Sequence, residues 1–71
     1  MHVLIFKTNI KLKRDIKKLQ SFLGKYPFII RWNVDRADID KVLRVEAAYQ
    51  NTSEIMHIVK KAGYFCEELP D

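Results

Sequence analysis

The stretch that decides the fold is TNIKLKRDIKKL, residues 8–19, where a strand pattern changes into a helical one. The preceding HVLIFK, residues 2–7, is apolar and β-branched, which is typical of a β-strand. Apolar residues then recur at spacings of four, three and four, at Leu12, Ile16, Leu19 and Leu23. This period predicts an amphipathic helix with its lysines on the other face. We expect the helix to end at Gly24, because Pro27 prevents its continuation.

The rest of the chain predicts a hairpin, a second helix and a last strand. FIIRWNVD (28–35) and KVLRVEA (41–47) are strand-like and closely linked, and the second alternates with Leu43 and Val45 on one face. A helix follows, with Asn51 as its cap and Glu54 completing a capping box. Its buried stripe is predicted to contain Ile55, Ile58, Val59 and Ala62.

This second helix is predicted to close at Gly63, and YFCEEL, residues 64–69, reads as the last strand. The predicted order is therefore β-α-β-β-α-β. It indicates an α+β, ferredoxin-like sandwich with a four-stranded antiparallel sheet and two helices on one face. Residues 1–71 are expected to form a single domain. Apolar runs at residues 3–6 and 28–30 predict some exposed apolar surface on the bare face of the sheet.

Charge is distributed unevenly along the chain. The net charge is +4, but residues 1–31 carry eight basic residues against one acid, and the remainder carries five against eight. A basic face of this kind attracts acidic partners at long range, although it also serves solubility. No apolar run approaches the roughly 20 residues of a membrane span. The single cysteine, Cys66, fits a reducing compartment, so we predict a cytoplasmic protein.

Three places in the sequence carry a family resemblance. FKTNI (6–10) leads into the first helix, SFLGKYPFIIRWNVD (21–35) joins that helix to the second strand, and KVLRVEA (41–47) and IVKKAGYFCEEL (58–69) end the chain. The most telling parts are KKAGY (60–64) and the W-x-V-D…KVLRVE hairpin (32–46). Together they resemble the heavy-metal-associated domain of copper chaperones and of the regulatory ends of metal-transporting ATPases. The resemblance covers nearly the whole chain and implies a ferredoxin-like, metallochaperone-like fold.

That family binds metal through Cys-x-x-Cys after the first strand, because two thiolates at this spacing hold one soft ion. The resemblance places Leu12 and Asp15 at the two ligand positions, and Ile10 at the apolar position that anchors the loop. Leu12 continues the apolar stripe, so we expect it in the core or as a hydrophobic plug. Asp15 suits the first turn of a helix, and we expect it to pair with a neighbouring base.

The residues around these positions disfavour a cation. Three basic side chains crowd the loop: Lys11, Lys13 and Arg14. Two positive charges about 4 Å apart repel by about 4 kcal/mol at an effective dielectric constant of 20. The sequence therefore predicts a degenerate metal site, with no metal and no cofactor bound at the loop.

These observations predict a non-catalytic protein-interaction module. The resemblance implies that the loop and the first-helix face dock onto an acidic protein surface. The predicted partner-binding residues are Lys11, Lys13, Arg14, Lys17, Lys18 and Tyr64. The sequence contains no Ser-His-Asp or Cys-His spacing and no glycine-rich phosphate loop, so we predict that the protein is not an enzyme.

Two alternatives stay open. Heavy-metal binding or transport through non-standard ligands would use His2, His57 or Cys66, although no spacing motif joins them. Nucleic-acid binding would use the basic residues on phosphate, although KVLRVEA lacks the aromatics that stack bases in ferredoxin-like RNA-binding sheets.

Overall fold

The computed structural model describes residues 1–70. The order of elements is the predicted one, with these bounds: β1 His2–Thr8, α1 Lys13–Leu23, β2 Ile29–Asp35, β3 Val42–Ala47, α2 Thr52–Lys61 and β4 Cys66–Glu68. Within these residues, no helix has the length and apolar character needed to span a bilayer.

The four strands form one antiparallel sheet in the order β2-β3-β1-β4. Val45 of β3 lies opposite Leu4 of β1 and Trp32 of β2, so these side chains share the face that the helices cover. This confirms the predicted ferredoxin-like fold. In the part of the chain that the structure describes, β2 and β4 are the edge strands of the sheet.

The core lies between the sheet and the two helices. The predicted helix stripes supply six of its fourteen buried apolar residues within residues 1–70: Leu19, Leu23, Ile55, Ile58, Val59 and Ala62 lie in one cluster with Phe6, Leu43 and Val45. The Asn51 side chain caps α2 as predicted, since its Oδ1 accepts the Glu54 N–H at 3.3 Å. The predicted capping box is wrong, because the Glu54 carboxylate accepts the side-chain Nδ2 of Asn51 at 2.8 Å instead of its backbone N–H. Gly63 ends α2 with a φ of 102°, a conformation that other residues rarely adopt.

Two expectations about apolar residues need correction. Leu12 is neither in the core nor a plug, since 47% of its surface is exposed. Phe28 is buried, because the chain has not yet entered β2 and the ring stacks on Tyr49 at 4.9 Å. The expected exposed apolar surface is limited to single side chains such as Val3 and Ile30, while Arg31, Arg44 and Glu46 form a charged cluster on the same sheet face.

Candidate functional site

The candidate site is the loop between β1 and α1, residues 9–12. Contacts with three other parts of the fold hold this loop in place. Ile10 is completely buried, as expected for an anchor. Thr8 Oγ1 donates to the Lys41 carbonyl at 2.6 Å and accepts the Ile10 N–H at 3.2 Å. Asn9 Oδ1 accepts the Phe65 N–H at 3.0 Å. The contacts of Thr8 and Asn9 were not predicted; the sequence signal for them is a Thr-Asn pair directly after a strand.

Asp15 closes this loop. Its Oδ2 accepts the Leu12 N–H at 3.0 Å and the Lys11 N–H at 3.4 Å. Its Oδ1 accepts the Tyr64 hydroxyl at 3.0 Å, which links α1 to the segment between α2 and β4. The expected ion pair is therefore wrong: within residues 1–70 Asp15 has no salt bridge, because its two oxygens face backbone donors and a phenol.

These hydrogen bonds favour the ionised carboxylate. The pKa of Asp15 is lowered, first by the Leu12 N–H and also by the Tyr64 hydroxyl, the Lys11 N–H and the charge of Arg14, although partial desolvation opposes this. The pKa of the Tyr64 hydroxyl is raised by desolvation and by the adjacent Asp15 carboxylate. At neutral pH Asp15 is therefore a carboxylate, and both of its oxygens accept hydrogen bonds from groups of the same chain.

Leu12 lies at the N-cap of α1 with extended backbone angles, φ −108° and ψ 156°. An N-cap residue is not yet on the helical spiral, so Leu12 cannot continue the stripe that begins at Ile16. Its side chain has no acceptor for the helix N–H groups, and the carboxylate of Asp15 at the third helical position caps the chain instead. The two positions that resemble ligand positions thus hold an exposed leucine and an engaged carboxylate.

Five basic residues, here called the basic face, surround the loop: Lys11, Lys13, Arg14, Lys17 and Lys18, all exposed. Within residues 1–70 none of them forms a salt bridge. The Nζ of Lys18 lies 5.7 Å from the centre of the Tyr64 ring, a cation–π distance. Tyr64 therefore lies beside the basic face, in contact with Lys18 and with Asp15 of the same helix.

The candidate metal ligands outside the loop are placed apart. His2 is exposed at the start of β1, and His57 is exposed on α2. Cys66 is a free, buried thiol on the helix-covered side of β4, and burial raises its pKa to about 11. Across residues 1–70 no group of three or more His, Cys, Asp or Glu side chains is arranged to hold a metal ion.

The bare face of the sheet differs from a base-stacking platform. Trp32 lies opposite Val45, on the side that the helices cover. The other face carries Val3 and Ile5 of β1 beside Arg44 and Glu46 of β3. The basic face lies on α1, so the helices separate it from this surface.

The sequence matches no protein-family model and no curated protein. Its structure is nevertheless similar to several solved domains. The yeast copper transporter domain Ccc2a, solved in apo and Cu(I)-loaded states, is 14% identical with a TM-score of 0.82, over 100% of this chain and 99% of that one. The N-terminal domain of PacS from Synechocystis PCC6803 is 15% identical with a TM-score of 0.80, over 99% and 100%.

A third structure, the CsoZ metallochaperone, is 18% identical with a TM-score of 0.76, over 93% of this chain and 96% of that one. These likenesses extend over essentially whole chains, so they show that the protein has the ferredoxin-like fold of heavy-metal-associated domains. The fold that the sequence resemblance implied is confirmed.

Proposed function

We propose that the protein is a non-catalytic docking module with the fold of a metallochaperone-like domain. In its loop, the Asp15 carboxylate accepts hydrogen bonds from the Lys11 and Leu12 N–H groups and from the Tyr64 hydroxyl, an arrangement called the Asp15 clasp here. The clasp takes the place of metal ligands. Its partner is an acidic protein surface, and the contact is made by the basic face and the rim of Tyr64. The free thiol of Cys66 fits a reducing compartment, so the proposed location of the protein is the cytoplasm.

The observation that carries this proposal is the uncompensated positive charge on the first two turns of α1. Lys13 and Lys17, and likewise Arg14 and Lys18, stand four residues apart, where like charges repel by roughly 0.2–0.5 kcal/mol per pair. Positive charge is also unfavourable at a helix N-terminus. Within residues 1–70 no carboxylate forms an ion pair with these side chains, so their arrangement costs stability. An acidic partner would offset that cost.

The Asp15 clasp supports a metal-free role for the loop. Its oxygens are occupied by the Lys11 and Leu12 N–H groups and by the Tyr64 hydroxyl. A single hard carboxylate is also a poor ligand set for soft ions such as Cu(I). The same hydrogen bonds keep the loop in one conformation, so little conformational entropy would be lost on docking.

The test is charge reversal on the basic face. The K13E/R14E/K17E variant lowers the net charge by six units, and K25E/K60E/K61E lowers it equally at exposed positions elsewhere. Proteins captured from extract by the wild type should be lost with the first variant and kept with the second. Binding of each captured protein, remeasured at two salt concentrations, should weaken with salt. An unchanged set of partners with K13E/R14E/K17E contradicts the proposal.

The metal-handling alternative is tested by titrating Cu(I) and Zn(II) into the wild type and following amide chemical shifts. The docking proposal predicts no saturable shifts at Asp15, His57 or Cys66. Site-specific, stoichiometric shifts there would favour metal handling instead.

A further inference from the structure

A second surface lies along β2, away from the loop. Among residues 1–70, β2 pairs only with β3, so its other edge presents backbone N–H and C=O groups that no strand of the described chain pairs with. An irregularity between Ile29 and Arg31 interrupts the ladder at the start of the strand. Regular pairing geometry therefore extends over Arg31–Asp35, which is an edge of about 17 Å at about 3.4 Å per residue.

A groove of about 600 Å³ runs beside this edge, between β2 and α1. Its apolar lining includes Ile16, Leu23, Trp32 and Val34. Trp32 and Val34 are only half-buried, because no element of the described chain covers them on this side. A groove of this volume lies within the usual range of ligand-binding clefts, about 300–1,000 Å³.

The groove lining within residues 1–70 includes Arg31 and Arg36 and no carboxylate. Arg31 Nε lies 3.3 Å from Glu46 Oε2, so among the charged lining residues of the described chain Arg36 is the one without an ion pair. On α1, Lys17 lies three residues before Gln20, which lines the groove, so its ammonium group adds to the same field. The Arg36 guanidinium donates to the Lys11 carbonyl at 3.5 Å, which holds it between β2 and the loop.

An unpaired strand edge beside an apolar groove is the arrangement that binds extended peptides by strand addition. We propose that an acidic, extended segment of a partner protein adds to the edge Arg31–Asp35 as a fifth strand. Alternate side chains of the segment, which are apolar, enter the groove against Trp32 and Val34. An acidic residue at the end of the segment beside residue 36 pairs with the Arg36 guanidinium. This surface is distinct from the loop, so the inference goes beyond the docking function proposed above.

Charge selects a peptide over a second copy of this chain. Each copy carries a net charge of +4, and like net charges disfavour association, even though antiparallel pairing of two β2 edges would set Arg31 of one copy near Asp35 of the other. The irregular start of β2 is also a feature that prevents edge-to-edge pairing of identical sheets.

The probe is a capped hexapeptide, Glu-Thr-Val-Thr-Val-Glu, titrated into the full chain. Trp32 is the single tryptophan and lines the groove, so its emission reports binding directly. Amide chemical shifts show which strand is contacted. We expect a saturable change in Trp32 emission, amide shifts concentrated at residues 31–35, and no response to the same peptide with lysine in place of glutamate.

Two further comparisons separate strand addition from simple contact. An added strand pairs through only one of its two edges, and the N–H groups on that edge belong to alternate residues of the peptide. N-methylation of those residues should abolish binding, whereas N-methylation of the intervening residues should preserve it. The R36E variant should bind the probe about threefold to tenfold more weakly, whereas K61E, with the same charge change at the exposed end of α2, should change binding by less than about twofold.

Three results would overturn the inference. Equal binding by both N-methylated peptides would exclude strand pairing. Shifts confined to residues 11–18 would place the acidic peptide on the basic face, which would leave the docking function intact. Concentration-dependent broadening of β2 amides without peptide would identify a second copy of the chain as the occupant.

Discussion

Placing cysteines at positions 12 and 15 should convert the closed loop into a soft-metal site. Leu12 is the N-cap and Asp15 the third residue of α1, and the Asp15 carboxylate already accepts the Leu12 N–H at 3.0 Å, so the two positions adjoin at the start of the helix. Two sulfurs that bind one tetrahedral zinc at about 2.3 Å are about 3.8 Å apart, and cysteine side chains at adjoining positions are expected to reach this separation. Removing the carboxylate also frees the Lys11 and Leu12 N–H groups and the Tyr64 hydroxyl to face the thiolates.

The expected gain is measurable as thermal stabilisation. Metal at 100 times its Kd adds about 2.7 kcal/mol to the free energy of unfolding. For a domain of this size each kcal/mol raises Tm by about 4–8 °C, so L12C/D15C should gain roughly 11–22 °C with Cu(I) or Zn(II) under anaerobic conditions. The wild type should show no such gain. Thiolate-to-metal absorption and a competition titration give the stoichiometry.

The matched control is K17C/Q20C, which places two exposed cysteines at the same spacing on α1 but away from the N-terminal N–H groups. It should bind more weakly, because no backbone donors stabilise its thiolates. If L12C/D15C folds and binds no metal, the expectation that this loop can present two thiolates to one ion is wrong. If the wild type binds as tightly as the variant, the conclusion that the ligands are lost is wrong.

Three further predictions concern stability and reactivity. Because folding lowers the pKa of Asp15, the stabilisation from its carboxylate is present above the unfolded pKa of 3.8 and is lost as pH falls through the folded pKa. In a denaturation series from pH 5 to 2, the stability of D15N should therefore fall less steeply with acid than that of the wild type. The control variant E67Q should behave like the wild type. Replacing the α2 cap by N51A should lower the free energy of unfolding by about 1 kcal/mol in urea, and S53A, at an exposed position of the same turn, should be neutral. Folding raises the pKa of the Cys66 thiol to about 11, so native protein at pH 8 should resist alkylation that denatured protein undergoes readily. The free energy of unfolding should also fall as pH rises from about 9 to 11. Rapid alkylation of the native protein would contradict this prediction, because it would show that the thiol is accessible.

The apolar period was sufficient to predict the type and order of the helices and strands. Ile55, Ile58, Val59 and Ala62 can face one core only if residues 52–61 are helical, and the alternation at Leu43 and Val45 requires a strand. Glycine and asparagine marked where elements end, because Gly63 supplies the left-handed conformation and Asn51 the cap. These are local effects, which neighbouring residues largely decide. The composition of the basic face was likewise visible in the sequence.

Only the tertiary structure decided what the loop does. Asp15 and Tyr64 are 49 residues apart, and their hydrogen bond exists because α2 returns the chain to the start of α1. Leu12 fits the apolar period, yet it is exposed because an N-cap residue precedes the helical spiral. The groove beside β2 also depends on strand order, since β2 is an edge only because β1 lies between β3 and β4. Periodicity is a property of neighbours along the chain, whereas a closed loop and an open edge are properties of elements that meet in space.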